Sequence, residues 1–215
     1  MERIWLKSYP KDLPTHLSAK EFDSIPDVLD QAVSQFHSRV AYINMGVGIS
    51  FDELDALAGQ FASYLQHECG LVKGDRIAIQ MPNLLQFPVA LFGALRAGLT
   101  VVNTNPLYTA REMEHQFRDS GAKAIVILAN YAHLIEKILL DTEIEHIIVT
   151  EVGDLFPFPK KVITNTVVRC VKKLVPPYRL NHYTTFNKAL SLGKKRDWIR
   201  ADLQHSDIAF LQYTG

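Results

Sequence analysis

Ile77-Ala78-Ile79-Gln80-Met81 is a short apolar run, and Thr100-Val101-Val102 is another. Between them the stretch from Leu84 to Ala97 is apolar on nearly every side. Two more runs follow, Ala124-Ile125-Val126-Ile127-Leu128 and His146-Ile147-Ile148-Val149, so that the four starts lie 23, 24 and 22 residues apart. A strand, a crossover helix and a parallel return strand need about this length of chain, and runs apolar on both faces suit strands covered by helices. The other intervals hold helical segments too: Ala110 to Asp119, opened by a Thr109/Glu112 capping box, and Ala132 to Asp141, after Asn130. The expected fold is α/β, a mostly parallel sheet flanked by helices on both faces, with right-handed crossovers.

Upstream, Ile25, Val28, Leu29, Ala32, Val33 and Phe36 repeat at helical spacing between Ser24 and His37, with Ser24 placed to cap the start. Ala41 to Met45 and Ile49 to Phe51 read as a hairpin turning over Gly46-Val47-Gly48. Ser50 and Glu53 form a second capping box, opening a helix that stops at Gly70. Downstream of Gly153 prolines interrupt the pattern. One helix is expected between Lys160 and Val175, ended by Pro176-Pro177, another near Phe186 to Leu192, and then a strand over Ala209 to Tyr213. Residues 1–153 thus make a sheet portion, and residues 154–215 a basic segment that returns to the sheet. The chain stops where a turn should begin, which predicts a longer parent protein.

Charge divides at the same place. The 215 residues carry 23 Lys+Arg and 23 Asp+Glu, yet residues 1–153 hold 12 basic against 19 acidic side chains and residues 154–215 hold 11 against 4. A balanced total argues against nucleic-acid binding, which draws on a surplus of cations. Cys69 and Cys170 are too few for a disulfide framework or a zinc cluster and suit a reducing compartment. No secretory leader and no run of about 18 apolar residues is present, so a cytoplasmic location is expected.

Motifs for dinucleotide binding, the GK[ST] phosphate loop, H-E-x-x-H and G-x-S-x-G are absent. The eight histidines lie at no metal-binding spacing, and Glu112 and Glu114, two apart on a helix, point to different faces. No catalytic or metal-ligating constellation is therefore expected within these residues. Two features remain. Tyr213-Thr214-Gly215 closes a strand at the place where α/β sheets hold phosphates. Phe158 to Arg179 contains Lys160, Lys161, Arg169, Lys172, Lys173 and Arg179 and no acid, with an apolar set near helical spacing. Such a helix either lies on an anionic membrane or packs its apolar face on the domain and leaves its lysines solvated.

Larger motifs add a resemblance. Gly74-Asp75-Arg76 to Met81-Pro82-Asn83, Leu91 to Gly98, Asn103-Thr104-Asn105-Pro106-Leu107-Tyr108-Thr109 and Phe210-Leu211-Gln212-Tyr213-Thr214-Gly215 resemble bacterial long-chain fatty acid CoA ligases of the AMP-forming adenylating superfamily. Singly, Arg96-Ala97-Gly98 or Ser50 to Leu54 would place the chain only in the superfamily. The resemblance implies ATP and Mg2+ as cofactors, CoA as co-substrate and a long-chain fatty acid as substrate. It makes Tyr213, Thr214 and Gly215 the start of the ATP-phosphate loop and implies that this portion alone does not catalyse ligation. It also implies peripheral membrane contact through Lys160, Lys161, Arg169, Lys172 and Lys173. Ala110 departs from the Pro that many relatives carry at that helix start, which removes a preorganised φ and no chemistry. A stand-alone α/β nucleotide-binding or dimerisation module remains the alternative, and a homodimer remains open.

Overall fold

The computed structural model describes residues 3–13, 15 and 21–213. After α1 (Ile25–Phe36), β1 (Val40–Asn44) and β2 (Val47–Ser50) form a separate antiparallel hairpin. Its turn is tighter than the sequence suggests: Asn44 pairs with Val47, and Met45 (φ 49°) and Gly46 (φ 74°) both adopt positive φ. That is a two-residue type I′ turn, whose twist matches the paired strands. Ser24 does not cap α1; its hydroxyl donates instead to Asp27 Oδ2 at 2.6 Å, and Pro26 sets the helix start.

The main sheet follows as β3 (Arg76–Gln80), β4 (Thr100–Asn103), β5 (Ala122–Leu128), β6 (His146–Thr150), β7 (Thr184–Thr185) and β8 (Phe210–Gln212). Their spatial order is β7-β6-β5-β3-β4-β8, and every neighbouring pair is parallel. Helices α2 (Phe51–His67), α3 (Gln86–Arg96) and α7 (Phe186–Gly193) cover one face with α1, while α4 (Ala110–Ser120) and α5 (Ala132–Ile138) cover the other. Strand residues alternate between the two cores, as a pleat requires: Ile77, Ile79, Val126 and Ile148 face the first, and Ala78, Ile125, Ile127 and Val149 the second. Residues 154–215 add strands to both edges of this one sheet.

Both capping boxes are formed, Ser50 with Glu53 and Thr109 with Glu112. The hydroxyl and amide of Thr109 hold the Glu112 carboxyl below its ordinary pKa. Arg96-Ala97-Gly98 acquires a structural meaning. The Arg96 side chain, 2% exposed, binds Asp30 Oδ1 at 2.8 Å, the Asp55 carboxylate and the Asp55 carbonyl at 2.9 Å, and lies over the Trp198 ring. It joins α1, α2, α3 and the return segment. Gly98 sits at φ 82°, where a Cβ would lie 2.8 Å from Ala201 Cβ, so only glycine fits.

Candidate functional site

In this strand order the chain steps from β3 to β4, then crosses back to place β5 on the other side of β3. Ligands of doubly wound sheets sit outside the carboxyl ends of such strands. That edge carries a polar rim. Thr104 donates its N–H to Ile79 O at 3.1 Å, and Gln80 Nε2 reaches Asn105 O at 3.4 Å. Asn105 Oδ1 accepts the Leu107 N–H, and Asn105 O accepts from Tyr108 N–H at 3.1 Å, so Asn105-Pro106-Leu107-Tyr108 is a turn built on its Asn and Pro. From α4, Gln116 Nε2 donates to Asn103 O at 3.0 Å.

The last described strand joins this rim. Thr100 Oγ1 donates to Ile208 O at 2.8 Å, Val102 pairs with Leu211, and Asn103 Nδ2 donates to Gln212 Oε1 at 3.1 Å. Tyr213 then leaves the sheet and donates its hydroxyl to Asp119 Oδ2 at 2.5 Å. Burial and that carboxylate push the Tyr213 pKa up to about 12, so the phenol is neutral and a donor across the ordinary pH range. Thr214 and Gly215 lie outside the described residues. Gln80, Asn103 and Gln116 each leave a buried side-chain oxygen without a protein donor at this same edge. Apart from the Asn105 turn, the partners are distant in sequence. Tyr213 and Asp119 are 94 residues apart, and no spacing rule could have paired them.

The basic segment is rooted at the same edge, beyond β6. It forms α6 (Lys160–Thr166), continued by a π-helical turn over Val167–Val171. Asn165 Oδ1 accepts the Gly153 N–H at 2.7 Å, an approach that a Cβ on Gly153 would block. Lys160 Nζ donates to Met45 O, Lys161 Nζ stands 3.8 Å from Asp154 Oδ1, and Arg169 binds Glu151 Oε1 through Nε at 3.0 Å. Burial raises the Asp154 pKa despite the Glu151 N–H and Lys161 beside it. Lys172 and Lys173 are exposed and have no carboxylate partner among the described residues. The apolar residues do not pack on the domain: Phe158, Val162, Ile163, Val167, Val171 and Leu174 are all exposed. This overturns the reading of an inward apolar face.

Other candidates separate cleanly. A cavity of about 340 Å3 between Ile25, Leu95, Leu99 and Ile208 opens at the opposite, amino-terminal edge, beside the Lys73–Asp207 pair at 2.7 Å. Among the described residues no three His, Cys, Asp or Glu gather to hold a metal, and no helix is long and apolar enough to cross a membrane. Cys69 is half-buried, and burial pushes its thiol pKa up to about 11, which makes it a packing residue.

The long-chain-fatty-acid–CoA ligase of Haemophilus influenzae is 50% identical over all 215 residues of this chain, which cover 38% of that protein. The Escherichia coli O6:H1 protein of the same name is 47% identical with the same coverage. The chain thus spans 38% of the length of the curated relatives it matches. Among solved structures, a long-chain-fatty-acid-CoA ligase from Archaeoglobus fulgidus superposes with a TM-score of 0.69 at 19% identity, covering 96% of this chain and 37% of that one, a likeness of fold. The model of the family described as AMP-binding enzyme matches residues 29–215, and the chain belongs to that family.

Proposed function

We propose that the chain is the opening part of an acid–thiol ligase that activates long-chain fatty acids. A fatty carboxylate oxygen attacks the α-phosphorus of ATP, the α–β phosphoanhydride bond breaks and pyrophosphate leaves. The CoA sulfur then attacks the acyl carbon, and AMP leaves with the carboxylate oxygen. The observation that carries this reading is the delivery of Tyr213, by a strand in register with β4, onto the polar carboxyl edge of the sheet. In this reading the chain beyond Tyr213 supplies phosphate contacts, and Asn103, Gln116 and Asp119 form the bed on which that loop starts. The unmet oxygens of Gln80, Asn103 and Gln116 suit a continuation rich in backbone N–H donors. Magnesium, implied by the resemblance, finds no ligand cluster among the described residues.

The same proposal places the longer protein in the cytoplasm, collecting its apolar substrate at a membrane surface through the segment 158–179. Palmitoyl-CoA formation tests the ligase reading. The longer protein is expected to make it from palmitate, ATP and CoA, and the 215-residue chain alone is not. Product from the short chain, or none from the long one, would overturn it.

A further inference from the structure

We infer that Gln116 and Gln80 are positioning residues for the adenylation step: Gln116 closes, and Gln80 anchors, a ring of hydrogen bonds that fixes where Tyr213 leaves the sheet. This deepens, and rests on, the ligase reading. The ring runs through β4, β8 and α4. Asn103 Nδ2 donates to Gln212 Oε1, Tyr213 follows in the chain and donates its hydroxyl to the Asp119 carboxylate, and Gln116 returns from α4 to Asn103 O through Nε2 at 3.0 Å. Gln116 and Asp119 are three residues apart and so lie side by side on the helix. Gln80 ties this ring to β3, with its Nε2 3.4 Å from Asn105 O, and the Thr104 N–H on Ile79 O holds the residue between the two gripped carbonyls.

Stability does not explain either glutamine. Helix α4 buries Met113, Gln116, Phe117 and Ser120, an inward face at helical spacing where position 116 would ordinarily carry an apolar side chain. Gln80, wholly buried, ends a strand whose preceding residues Ile77, Ala78 and Ile79 are core. Each amide spends an N–H on a backbone carbonyl, which fixes its orientation, and each leaves a buried oxygen without a protein donor. Such an oxygen costs at least as much as one ordinary bond returns. Among the described residues, the other side chains with a buried unmet atom are Asn44, Gln86, Asn103, Asn130, His133 and Arg96. Asn44 bonds Asn83 O beyond β3, Gln86 bonds Glu151 O beyond β6, and Asn130 and His133 follow β5, so all but Arg96 gather at the carboxyl edge. Polar residues that break the packing rule at the edge where α/β sheets hold ligands are kept for what that edge does.

Methionine keeps the length of glutamine and removes its amide, which separates the two roles. In Gln80→Met the unmet oxygen is gone and Asn105 O keeps the Tyr108 N–H at 3.1 Å; in Gln116→Met the unmet side-chain oxygen is exchanged for the lost hold on Asn103 O. The 215-residue chain with either change should therefore melt within about 3 °C of wild type, Gln80→Met at or above it. Kinetics are read in the longer protein, as palmitate-dependent exchange of labelled pyrophosphate into ATP. Each variant should raise KM for ATP roughly fivefold or more and leave KM for palmitate unchanged. Arg118→Gln, exposed on the same helix and outside the ring, should match wild type in melting and in both KM values.

An unchanged ATP KM in either folded variant overturns the inference and leaves the ligase reading standing. A lowered melting temperature with both KM values raised together also overturns it, because the glutamines would then be packing residues. Wild type that exchanges no pyrophosphate in the presence of palmitate overturns the ligase reading, and the inference with it.

Discussion

Replacing Gly193 by Ala sets helix propensity against packing, and the two predict opposite signs. In an isolated helix the change would stabilise by about 0.5–1 kcal/mol. Here α7 lies backbone to backbone on α2: a Cβ on Gly193 would sit 1.8 Å from Gln60 O and 2.9 Å from Tyr64 N. Ordinary carbon–oxygen contact is roughly 3.3 Å, so the helices must separate by about 1.5 Å. Little can yield. Phe186 at the head of α7 packs against Phe61, the rings tilted by 34° with centres 5.2 Å apart. The segment after α7 is pinned to α2 by Ser63 Oγ on Arg196 O (2.8 Å), by His67 on Asp197 O (3.0 Å) and by Gln66 on both backbone groups of Ile199. Overpacking against backbone outweighs propensity, for a net loss of about 2–4 kcal/mol. In a domain of this size that lowers Tm by roughly 5–15 °C in a circular dichroism melt of the 215-residue chain. An unchanged or raised Tm would refute the close docking of α7 and with it the covering of the first sheet face.

Arg96→Lys should cost about 1–3 kcal/mol, because an ammonium cannot reproduce the fork on Asp30 and Asp55 or the stack on Trp198; Arg118→Lys, in an exposed pair with Glu114, should stay within about 0.5 kcal/mol by urea denaturation. Tyr213→Phe in the longer protein removes the bond to Asp119 and should raise KM for ATP about fivefold with the fatty-acid KM unchanged; equal shifts in both would show a general loss of structure. Burial alone would raise the Asp75 pKa, but Lys123 Nζ at 2.7 Å and the Val72 N–H hold it below the ordinary 3.8. Its contribution to stability is therefore present above the unfolded pKa and lost as pH falls through the lower folded value. The urea midpoints of wild type and Asp75→Asn should differ at pH 6 and draw together as pH falls below the ordinary 3.8, and parallel curves would contradict this.

The main sheet was legible because strands buried on both faces leave short apolar runs, and crossover helices impose a near-constant spacing between them. The two capping boxes were legible for a similar reason, since each is complete within four residues. Ser24 misled because its hydroxyl had a nearer competitor in Asp27, a choice that composition does not encode. The hairpin turn fell one step earlier because Met45 accepts positive φ beside Gly46. At the candidate site, sequence singled out Tyr213 as a proposal, but its bond to Asp119, the Gln116–Asn103 bond and the Asn103–Gln212 bond all depend on how the helices and strands pack. The apolar period of α6 was equally visible, but its direction was not. Periodicity locates a face, and only Asn165 on Gly153 and Arg169 on Glu151 say which way it points.

The half-reaction of adenylation provides the most direct test of the account. Exchange of labelled pyrophosphate into ATP by the longer protein needs the carboxylate substrate and the phosphate loop but neither CoA nor a membrane. Exchange that depends on palmitate and falls when Asp119→Ala removes the partner of Tyr213 is the expected result. Exchange independent of fatty acid, or unaffected by that substitution, would contradict the assignment of the β8 carboxyl edge as the start of the ATP-phosphate loop.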